Sequence, residues 1–280
     1  MHRLLLCTDM DRTIIPNGRQ PEHPRAREKF QQLCASPQVA LVYVTGRDLS
    51  LTKQAIDHYQ LPMPAYAITD VGTKIYKQKQ GEWLEVASWQ EQIAPDWGGK
   101  THEQLQGALA DIAELTLQEA AKQNGFKLSY YVALPADQQP LLERVGHRLA
   151  RLGVDASLIW SIDEPQHIGL LDVLPRNATK MHGIEFLGRY LGYQREEILF
   201  AGDSGNDLMV MGSSIRSILV ANADAETKEK AVQLARENGV LDTLYLARPE
   251  AFPLGGNYSA GVLQGVAFFA PQIVNASDDS

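Results

Sequence analysis

Short apolar runs alternate with amphipathic stretches through the first seventy residues of the chain. The runs LLLCTD, VALVYVTG and AYAITDVG are bounded by turns, which is typical of buried strands. The stretches between them, PRAREKFQQLCAS and DLSLTKQAIDHYQ, carry apolar residues at helical spacing. This β-α-β-α-β order predicts a parallel sheet with crossover helices.

The same alternation returns in the last hundred residues. We predict helices at KMHGIEFLGRYLGY, ETKEKAVQLAREN and SAGVLQGVAFF, and strands at EEILFAGD, RSILVANA and LYLA. We therefore expect the two ends of the chain to share one α/β core, a doubly wound, Rossmann-like parallel sheet.

The middle of the chain has a different pattern. KIYKQKQGEWLEVAS predicts a hairpin around Gln80–Gly81, and a long helix is expected from about Lys100 to Asn124. Strands at FKLSYYVAL, ASLIWSI and HIGLLDVL then flank a helix at QQPLLERVGHRLARLG. Helices mixed with antiparallel strands predict a smaller α+β domain at 83–173, inserted into a core formed by 1–82 and 174–280.

Composition limits the classes of function. The chain has 280 residues and a formal net charge of −8, which disfavours nucleic acid or an anionic membrane as a partner. Its two cysteines, Cys7 and Cys34, lack metal-ligand spacing and are expected to be buried thiols. The LLLC run is too short for a signal peptide, and no long apolar segment follows. We expect a reduced, cytoplasmic protein.

Polar residues follow the predicted strands where those strands end. In a parallel α/β sheet, ligands bind at the carboxyl ends of the strands, where helix N-termini also converge. The chemically useful residues at these ends, with one lysine at the start of a predicted helix, are Asp9, Asp11, Thr45, Gly46, Arg47, Lys180, Asp203, Asn206 and Asp207.

The pair Asp9 and Asp11 raises a question of charge. Neighbouring carboxylates repel each other and raise each other's pKa, so the pair is unfavourable unless a cation or a reaction uses it. A carboxylate nucleophile can form an aspartyl-phosphate, and the approach of anion to anion requires Mg²⁺ with hard oxygen ligands. Asp9, Asp203 and the main-chain carbonyl of Asp11 could supply these oxygens.

The remaining residue types fit phosphoryl transfer from a sugar ester. Lys180 and Thr45 could hold the phosphoryl oxygens, on which charge must be stabilised. Asp11 is placed to protonate the leaving sugar oxygen and then to deprotonate water. Each motif alone is more often a turn or a helix cap, and GDSGND lacks the spacing of an EF-hand. Their joint occurrence, in this order at strand ends, is what indicates catalysis.

DMDRT, VTGR, Lys180 and GDSGND resemble the four ordered motifs of the haloacid dehalogenase-like superfamily of Mg²⁺-dependent phosphatases. The insert resembles the type IIB cap of that superfamily. Within the superfamily, the chain is most similar to the sucrose-phosphate phosphatase branch. The stretches that carry this similarity are LLLCTDMDRT, GDSGND, FKLSYY and YSAGVLQGVAFF.

This resemblance implies a role for each site residue. Asp9 would be the nucleophile, Asp11 the acid and base, and Thr45 and Lys180 phosphate ligands. The metal would lie at Asp203 and Asp207, together with Asp9 and Asp11. The resemblance further implies contacts with phosphate or sugar from Gly46, Arg47 and Asn206, and contacts with sugar hydroxyls from Lys127 and Tyr130 of the cap.

We therefore expect a phosphatase acting on a small-molecule sugar phosphate, most simply sucrose 6-phosphate. Mannosylfructose phosphate and a glucosylglycerol phosphate are alternative substrates. A phosphosugar mutase and a non-catalytic sugar-phosphate-binding protein are rivals of another class. A receiver domain fits less well, because it has neither an inserted domain nor a second acidic loop. A sugar-phosphate synthase is the expected metabolic partner.

Overall fold

The computed structural model describes residues 3–163 and 166–278. Its strands are β1 Leu4–Thr8, β2 Val39–Val44, β3 Tyr66–Thr69, β4 Lys74–Lys79, β5 Glu82–Glu85, β6 Leu115–Leu117, β7 Leu128–Ala133, β8 Ala156–Asp163, β9 Ile168–Pro175, β10 Ile198–Gly202, β11 Arg216–Leu219 and β12 Leu244–Leu246. Its helices are α1 Ala26–Ala35, α2 Leu49–His58, α3 Ala87–Ile93, α4 His102–Leu109, α5 Gln138–Arg151, α6 Lys180–Leu191, α7 Leu208–Met211, α8 Ala225–Glu237, α9 Ser259–Phe269 and α10 Pro271–Asp278.

Eight strands form the larger sheet, in the order β12-β11-β10-β1-β2-β3-β4-β5. The first six in this order are parallel, and the hairpin β4-β5 adds two antiparallel strands beside β3. The two ends of the chain meet where β1 pairs with β10. The predicted doubly wound α/β core is confirmed.

Both faces of this sheet are covered, which explains why its central strands are apolar throughout. Alternate side chains of β1 point to opposite faces: Leu5 packs in a cluster with Ile184 of α6, and Leu6 packs in another with Phe30 of α1. Cys7 is fully buried in β1, as predicted, whereas Cys34 of α1 is only half-buried. Both cysteines are free thiols.

The smaller sheet is antiparallel, in the order β6-β7-β9-β8. Residues from α4 and α5 pack on one face of it and form a separate apolar core with Leu128 and Val173. The predicted helix over Lys100–Asn124 is wrong: α4 ends at Leu109, and Leu115–Leu117 is an edge strand paired with β7.

Both predicted limits of the inserted domain, Trp83 and Val173, fall inside strands. The predicted limit at Trp83 falls inside β5, which pairs with β4 in the larger sheet. Trp89 and Ile93 of α3 also pack in the core of that sheet. The predicted limit at Val173 falls inside β9, which stays paired with β8 up to Pro175. We refer below to the residues around the smaller sheet, from 98 to 175, as the insert.

The two chain crossings between the larger sheet and the insert are tied together. The carboxylate of Asp96 accepts hydrogen bonds from the main-chain nitrogen and the side-chain amide of Asn177, over 2.7 and 3.0 Å. The main-chain carbonyl of Asp96 also accepts a hydrogen bond from the backbone nitrogen of Asp155, over 2.7 Å. Among the helices in 3–163 and 166–278, none combines the length and apolarity needed to cross a bilayer.

Candidate active site

The carboxyl ends of the parallel strands open onto a cleft of about 370 Å³. This size falls within the roughly 300–1,000 Å³ of small-molecule sites. The larger unit lines the cleft with residues that follow β1, β2, β3 and β10, and the insert lines it from the opposite side. The lining includes Asp9, Asp11, Arg47, Asp203, Lys122 and Lys127.

Lys180 connects two buried carboxylates at the base of this cleft. Helix α6 begins at Lys180 because Thr179 caps it, its hydroxyl accepting a hydrogen bond from the backbone nitrogen of His182. The Lys180 ammonium donates to Asp9 Oδ2 and to Asp207 Oδ1, both over 2.7 Å. Burial alone would lower the pKa of Lys180, but the two carboxylates outweigh it and raise the pKa above its ordinary value. Lys180 therefore remains a cation.

The carboxylates of Asp9, Asp203 and Asp207 form one buried group, with ligand atoms that all lie within 4.8 Å of one another. Burial raises the pKa of Asp9 to about 7, and the charge of Asp207 adds to this effect. Burial, followed by the charges of Asp9 and Asp207, also raises the pKa of Asp203 to about 7. Lys180 and the guanidinium of Arg12, 3.3 Å from Asp203, therefore compensate the three carboxylates only in part.

The oxygen atoms of this group fit a hard divalent cation. Asp203 Oδ2 is buried and has no hydrogen-bond partner, since Arg12 Nε lies 3.3 Å away without hydrogen-bond geometry. Its other oxygen accepts only a long hydrogen bond, of 3.3 Å, from the hydroxyl of Thr13. A buried carboxylate oxygen without a donor is unfavourable unless a cation binds it. These residues match the oxygen ligands that Mg²⁺ prefers.

Asp207 is held in place by its own loop. Its Oδ2 accepts hydrogen bonds from the backbone nitrogens of Asp203 and Ser204, over 3.1 and 3.2 Å. Gly202 makes this close approach possible, because a Cβ at that position would lie 2.6 Å from Asp207 Cγ. Both Asp207 oxygens therefore have donors, and this residue orients Asp203 and Lys180.

The carboxylate of Asp11 points away from that group, toward Arg47. Arg47 donates from Nε to Asp11 Oδ2 over 2.7 Å and from its terminal nitrogen to Oδ1 over 2.6 Å. The amide of Asn17 also donates to Oδ1, over 2.7 Å. Burial would raise the pKa of Asp11, but the hydrogen bonds and charge of Arg47 outweigh it and lower the pKa. The Asp11 side chain is outside the carboxylate group, so its metal role rests on its main-chain carbonyl and stays a prediction.

The predicted phosphate ligands lie around the same base. Thr45 follows β2 and is almost fully buried, with its hydroxyl accepting a hydrogen bond from the backbone nitrogen of Arg47 over 3.2 Å. Gly46 and Asn206 line the cleft. Asn206 Oδ1 accepts from the Lys180 ammonium over 3.3 Å, so the acidic loop also contacts this lysine.

Comparison with known proteins agrees with this geometry. A model of the family described as sucrose-6F-phosphate phosphohydrolase matches residues 2–270. The chain belongs to this family. It is thus a phosphoric monoester hydrolase of the haloacid dehalogenase-like superfamily.

Individual relatives are similar over most of the chain. A protein of Nitrosococcus oceani named as a HAD-like hydrolase is 45% identical over 96% of this chain and 72% of its own length. The mannosylfructose-phosphate phosphatase of Agrobacterium fabrum is 30% identical over 82% of this chain and 87% of its own. The sucrose-phosphatase of Synechocystis sp. PCC6803, solved with sucrose and phosphate, has a similar fold. It gives a TM-score of 0.74 at 24% identity, over 96% of this chain and 98% of that one.

The two sugar contacts that the sucrose-phosphate phosphatase resemblance implies have different positions. Lys127 lines the cleft and is 8% exposed. Tyr130 is not among the residues that line the cleft, and its contact with the sugar stays a prediction. Because side chains alternate along β7, Tyr130 shares a face with Leu128 and Val132 and is buried in the core of the insert.

Sequence reasoning missed several residues of this phosphohydrolase site, among them Asp70 and Arg12. Asp70 lines the cleft and directly follows β3, so the strand-end criterion that selected Asp9 could have found it. Arg12 lines the cleft and lies beside Asp203, and no local sequence signal indicates that contact.

Proposed function

We propose that the chain hydrolyses a disaccharide phosphate, with sucrose 6-phosphate as the first candidate, through an aspartyl-phosphate and with Mg²⁺. The observation that carries this proposal is the contact of Lys180 with Asp9 beside the unsatisfied oxygen of Asp203. A cation at a carboxylate nucleophile, next to a set of metal-binding oxygens, is what phosphoryl transfer to an aspartate requires.

In the first step, an oxygen of Asp9 attacks phosphorus while the bond from phosphorus to the sugar oxygen breaks. The backbone nitrogen of Met10 donates to Asp9 Oδ1 over 2.7 Å and fixes the carboxylate for this attack. Asp11 gives a proton to the leaving sugar oxygen. In the second step, Asp11 takes a proton from water, whose oxygen displaces Asp9 and forms inorganic phosphate.

The charge on the phosphoryl group needs several partners. Lys180, Thr45, Gly46 and Asn206 are the proposed phosphate ligands. Gly46 and Asn206 line the cleft, Lys180 donates to Asn206, and the hydroxyl of Thr45 accepts from the backbone nitrogen of Arg47. Asp9, Asp203 and Asp207, with the main-chain carbonyl of Asp11, would hold Mg²⁺. When bound, this cation supplies charge stabilisation for the phosphoryl oxygens.

Arg47 is proposed to bind the phosphate or the sugar, which gives its contact with Asp11 a mechanistic meaning. While Arg47 holds both oxygens of Asp11, the carboxylate stays ionised and serves as a base. Its role as an acid requires Arg47 to turn toward the incoming phosphate, because a dianion competes well for a guanidinium.

The test is phosphate release with Mg²⁺ from sucrose 6-phosphate, mannosylfructose phosphate, a glucosylglycerol phosphate and hexose monophosphates, with Asp9→Asn as the control. Strong release from one disaccharide phosphate, abolished in the variant, supports the proposal. Weak release from every substrate contradicts the disaccharide assignment, and release that Asp9→Asn leaves intact contradicts the mechanism.

A second substrate is favoured by one observation. The mannosylfructose-phosphate phosphatase is the relative with 30% identity over 87% of its own length, so mannosylfructose phosphate is the second candidate. In either case the reaction that supplies the substrate would be a glycosyl transfer onto a sugar phosphate by a synthase. We also propose a cytoplasmic location and a mobile insert that closes over the sugar.

A further inference from the structure

Lys127 is a largely buried lysine at the wall of the cleft. It is 8% exposed, and within 3–163 and 166–278 its ammonium makes neither a hydrogen bond nor an ion pair. Its backbone is fixed, because the main chains of Lys127 and Asn124 exchange two hydrogen bonds, of 3.1 and 3.2 Å. An ammonium that has no acceptor from the protein is free to donate hydrogen bonds to a ligand. This side chain lines the cleft, so the ligand would bind there.

Asp70 lines the same cleft from the larger unit and is also 8% exposed. It has a φ of 54°, the left-handed region, which the chain maintains by anchoring it on both sides. Its backbone nitrogen donates to the carbonyl of Arg47 over 2.8 Å, and its carbonyl accepts from the hydroxyl of Thr73 over 2.9 Å. Asp70 is therefore held rigidly beside Arg47.

The Asp70 carboxylate keeps acceptor capacity for a ligand. A carboxylate has about four acceptor positions. The hydroxyl of Thr69 occupies one of them, over 2.8 Å. Burial raises the pKa of Asp70, and the positive charge of Lys127 partly offsets this effect. The two side chains are thus close enough to interact electrostatically across the cleft.

This pairing of charges selects the chemistry of the ligand. Lys127 alone would suit an anion, but the facing carboxylate repels a second phosphate. An ammonium that donates and a carboxylate that accepts together suit hydroxyl groups, which do both. We propose that Asp70 is a specificity-determining residue that accepts hydrogen bonds from hydroxyls of the substrate sugar, with Lys127 donating to the same sugar. This inference rests on the proposed function and adds a sugar contact to it.

The test compares kcat/KM for the preferred disaccharide phosphate with kcat/KM for p-nitrophenyl phosphate, which has no sugar hydroxyls. Asp70→Asn is suited to the left-handed backbone, because asparagine tolerates it. We expect Asp70→Asn and Lys127→Met each to lower the ratio of the two values at least tenfold, mainly through KM of the disaccharide phosphate. The double variant should lose less than the product of the two single losses.

Matched controls remove the same charges from the surface. Asp57→Asn and Lys53→Met, both on the exposed face of α2, should leave the ratio within twofold. Thermal unfolding checks that each variant is folded, and Asp70→Gly, which also accepts a positive φ, replaces Asp70→Asn if that variant is unstable.

Two outcomes overturn the proposal. A ratio within twofold of the unsubstituted protein means that Asp70 does not contact the sugar. Equal losses with both esters mean that Lys127 binds the phosphate or that the residues act structurally. If the unsubstituted protein cleaves p-nitrophenyl phosphate but no sugar phosphate, the proposed function fails and takes this inference with it. If instead the unsubstituted protein prefers one disaccharide phosphate and Asp70→Asn leaves the ratio of the two kcat/KM values unchanged, only the inference about Asp70 fails.

Discussion

Arg47 holds Asp11 through two parallel hydrogen bonds, of 2.7 and 2.6 Å. The acid–base candidate after β1 is thus joined to an arginine that follows the neighbouring strand β2. The side chains are partly exposed, at 27% and 39%, and such a pair contributes at most about 1 kcal/mol to folding. In the proposed mechanism the pair matters for catalysis, because the arginine lowers the pKa of Asp11 and fixes the direction of its carboxylate.

The first prediction concerns this pair. Arg47→Gln removes the main influence that lowers the pKa of Asp11, so that pKa should rise. In the proposed second step Asp11 must be ionised to activate water, so the acid limb of the pH profile of kcat should move to higher pH, and kcat should fall ~10–100-fold. Arg151→Gln, on the surface of α5, is the control. An unshifted acid limb would separate Arg47 from the protonation of Asp11.

The second prediction concerns Lys180. Lys180→Met leaves the buried carboxylates of Asp9 and Asp207 without their cation, which should destabilise the protein by ~3–5 kcal/mol at pH 8. The loss should be smaller at pH 5, where Asp9 can take up a proton. Urea unfolding at both pH values measures it, and Lys74→Met, which removes an ion pair nearer the surface, is the control. Equal losses at the two pH values would contradict this account.

The third prediction is the pH dependence of stability without metal. The pKa of Asp203 rises from an ordinary value near 3.8 to about 7 on folding, so the folded state binds its proton more tightly. The resulting stability is fully present below about pH 4 and is lost as pH rises through 7. In EDTA, Tm should therefore fall between pH 5 and pH 8, and the stabilisation by added Mg²⁺ should grow over the same range.

Asp203→Asn tests the source of that effect. It should reduce the dependence of Tm on pH in EDTA to the part that comes from Asp9, whose pKa is also raised to about 7, and remove most of the stabilisation by Mg²⁺. A Mg²⁺ effect that is constant with pH, or that survives in Asp203→Asn, would argue against a metal site at this carboxylate.

The fourth prediction compares two glycines of one loop. Gly202→Ala would place a methyl group against Asp207, 2.6 Å from its Cγ, at a fully buried position. We expect ~1–3 kcal/mol of destabilisation and weaker Mg²⁺ binding, because Asp203 and Lys180 lose their orientation. Gly205→Ala meets no atom within 4 Å and should stay within ~0.5 kcal/mol. Similar effects at both positions would mean that the loop repacks freely.

The core of the site could be predicted because the sheet topology determines which residues come together. Asp9, Thr45 and Asp203 lie far apart in the chain, yet parallel strands with crossover helices bring their ends to one edge. The apolar runs that specify β1, β2 and β10 are strong signals, because these strands have apolar neighbours on both faces of the sheet.

The insert could not be predicted equally well. Strand β6 has only three residues, and it is held by hydrogen bonds to β7, which is distant in sequence. The local sequence AELTLQEAA does not indicate this pairing. Tyr130 carries a polar group on an aromatic ring, so sequence alone does not distinguish a core residue from a sugar contact. The register of β7 determines the direction of this side chain, and Tyr130 packs in the apolar core of the insert.

The hydrogen bonds between Asp96 and Asn177 have a consequence for protein engineering. They hold the two ends of a segment of about eighty residues side by side. A short linker could therefore replace this segment and join the two remaining parts of the chain. A graft of a foreign segment between these two residues would exchange the wall that carries Lys122 and Lys127, and would leave Asp9 and Asp70 in the larger unit as they are.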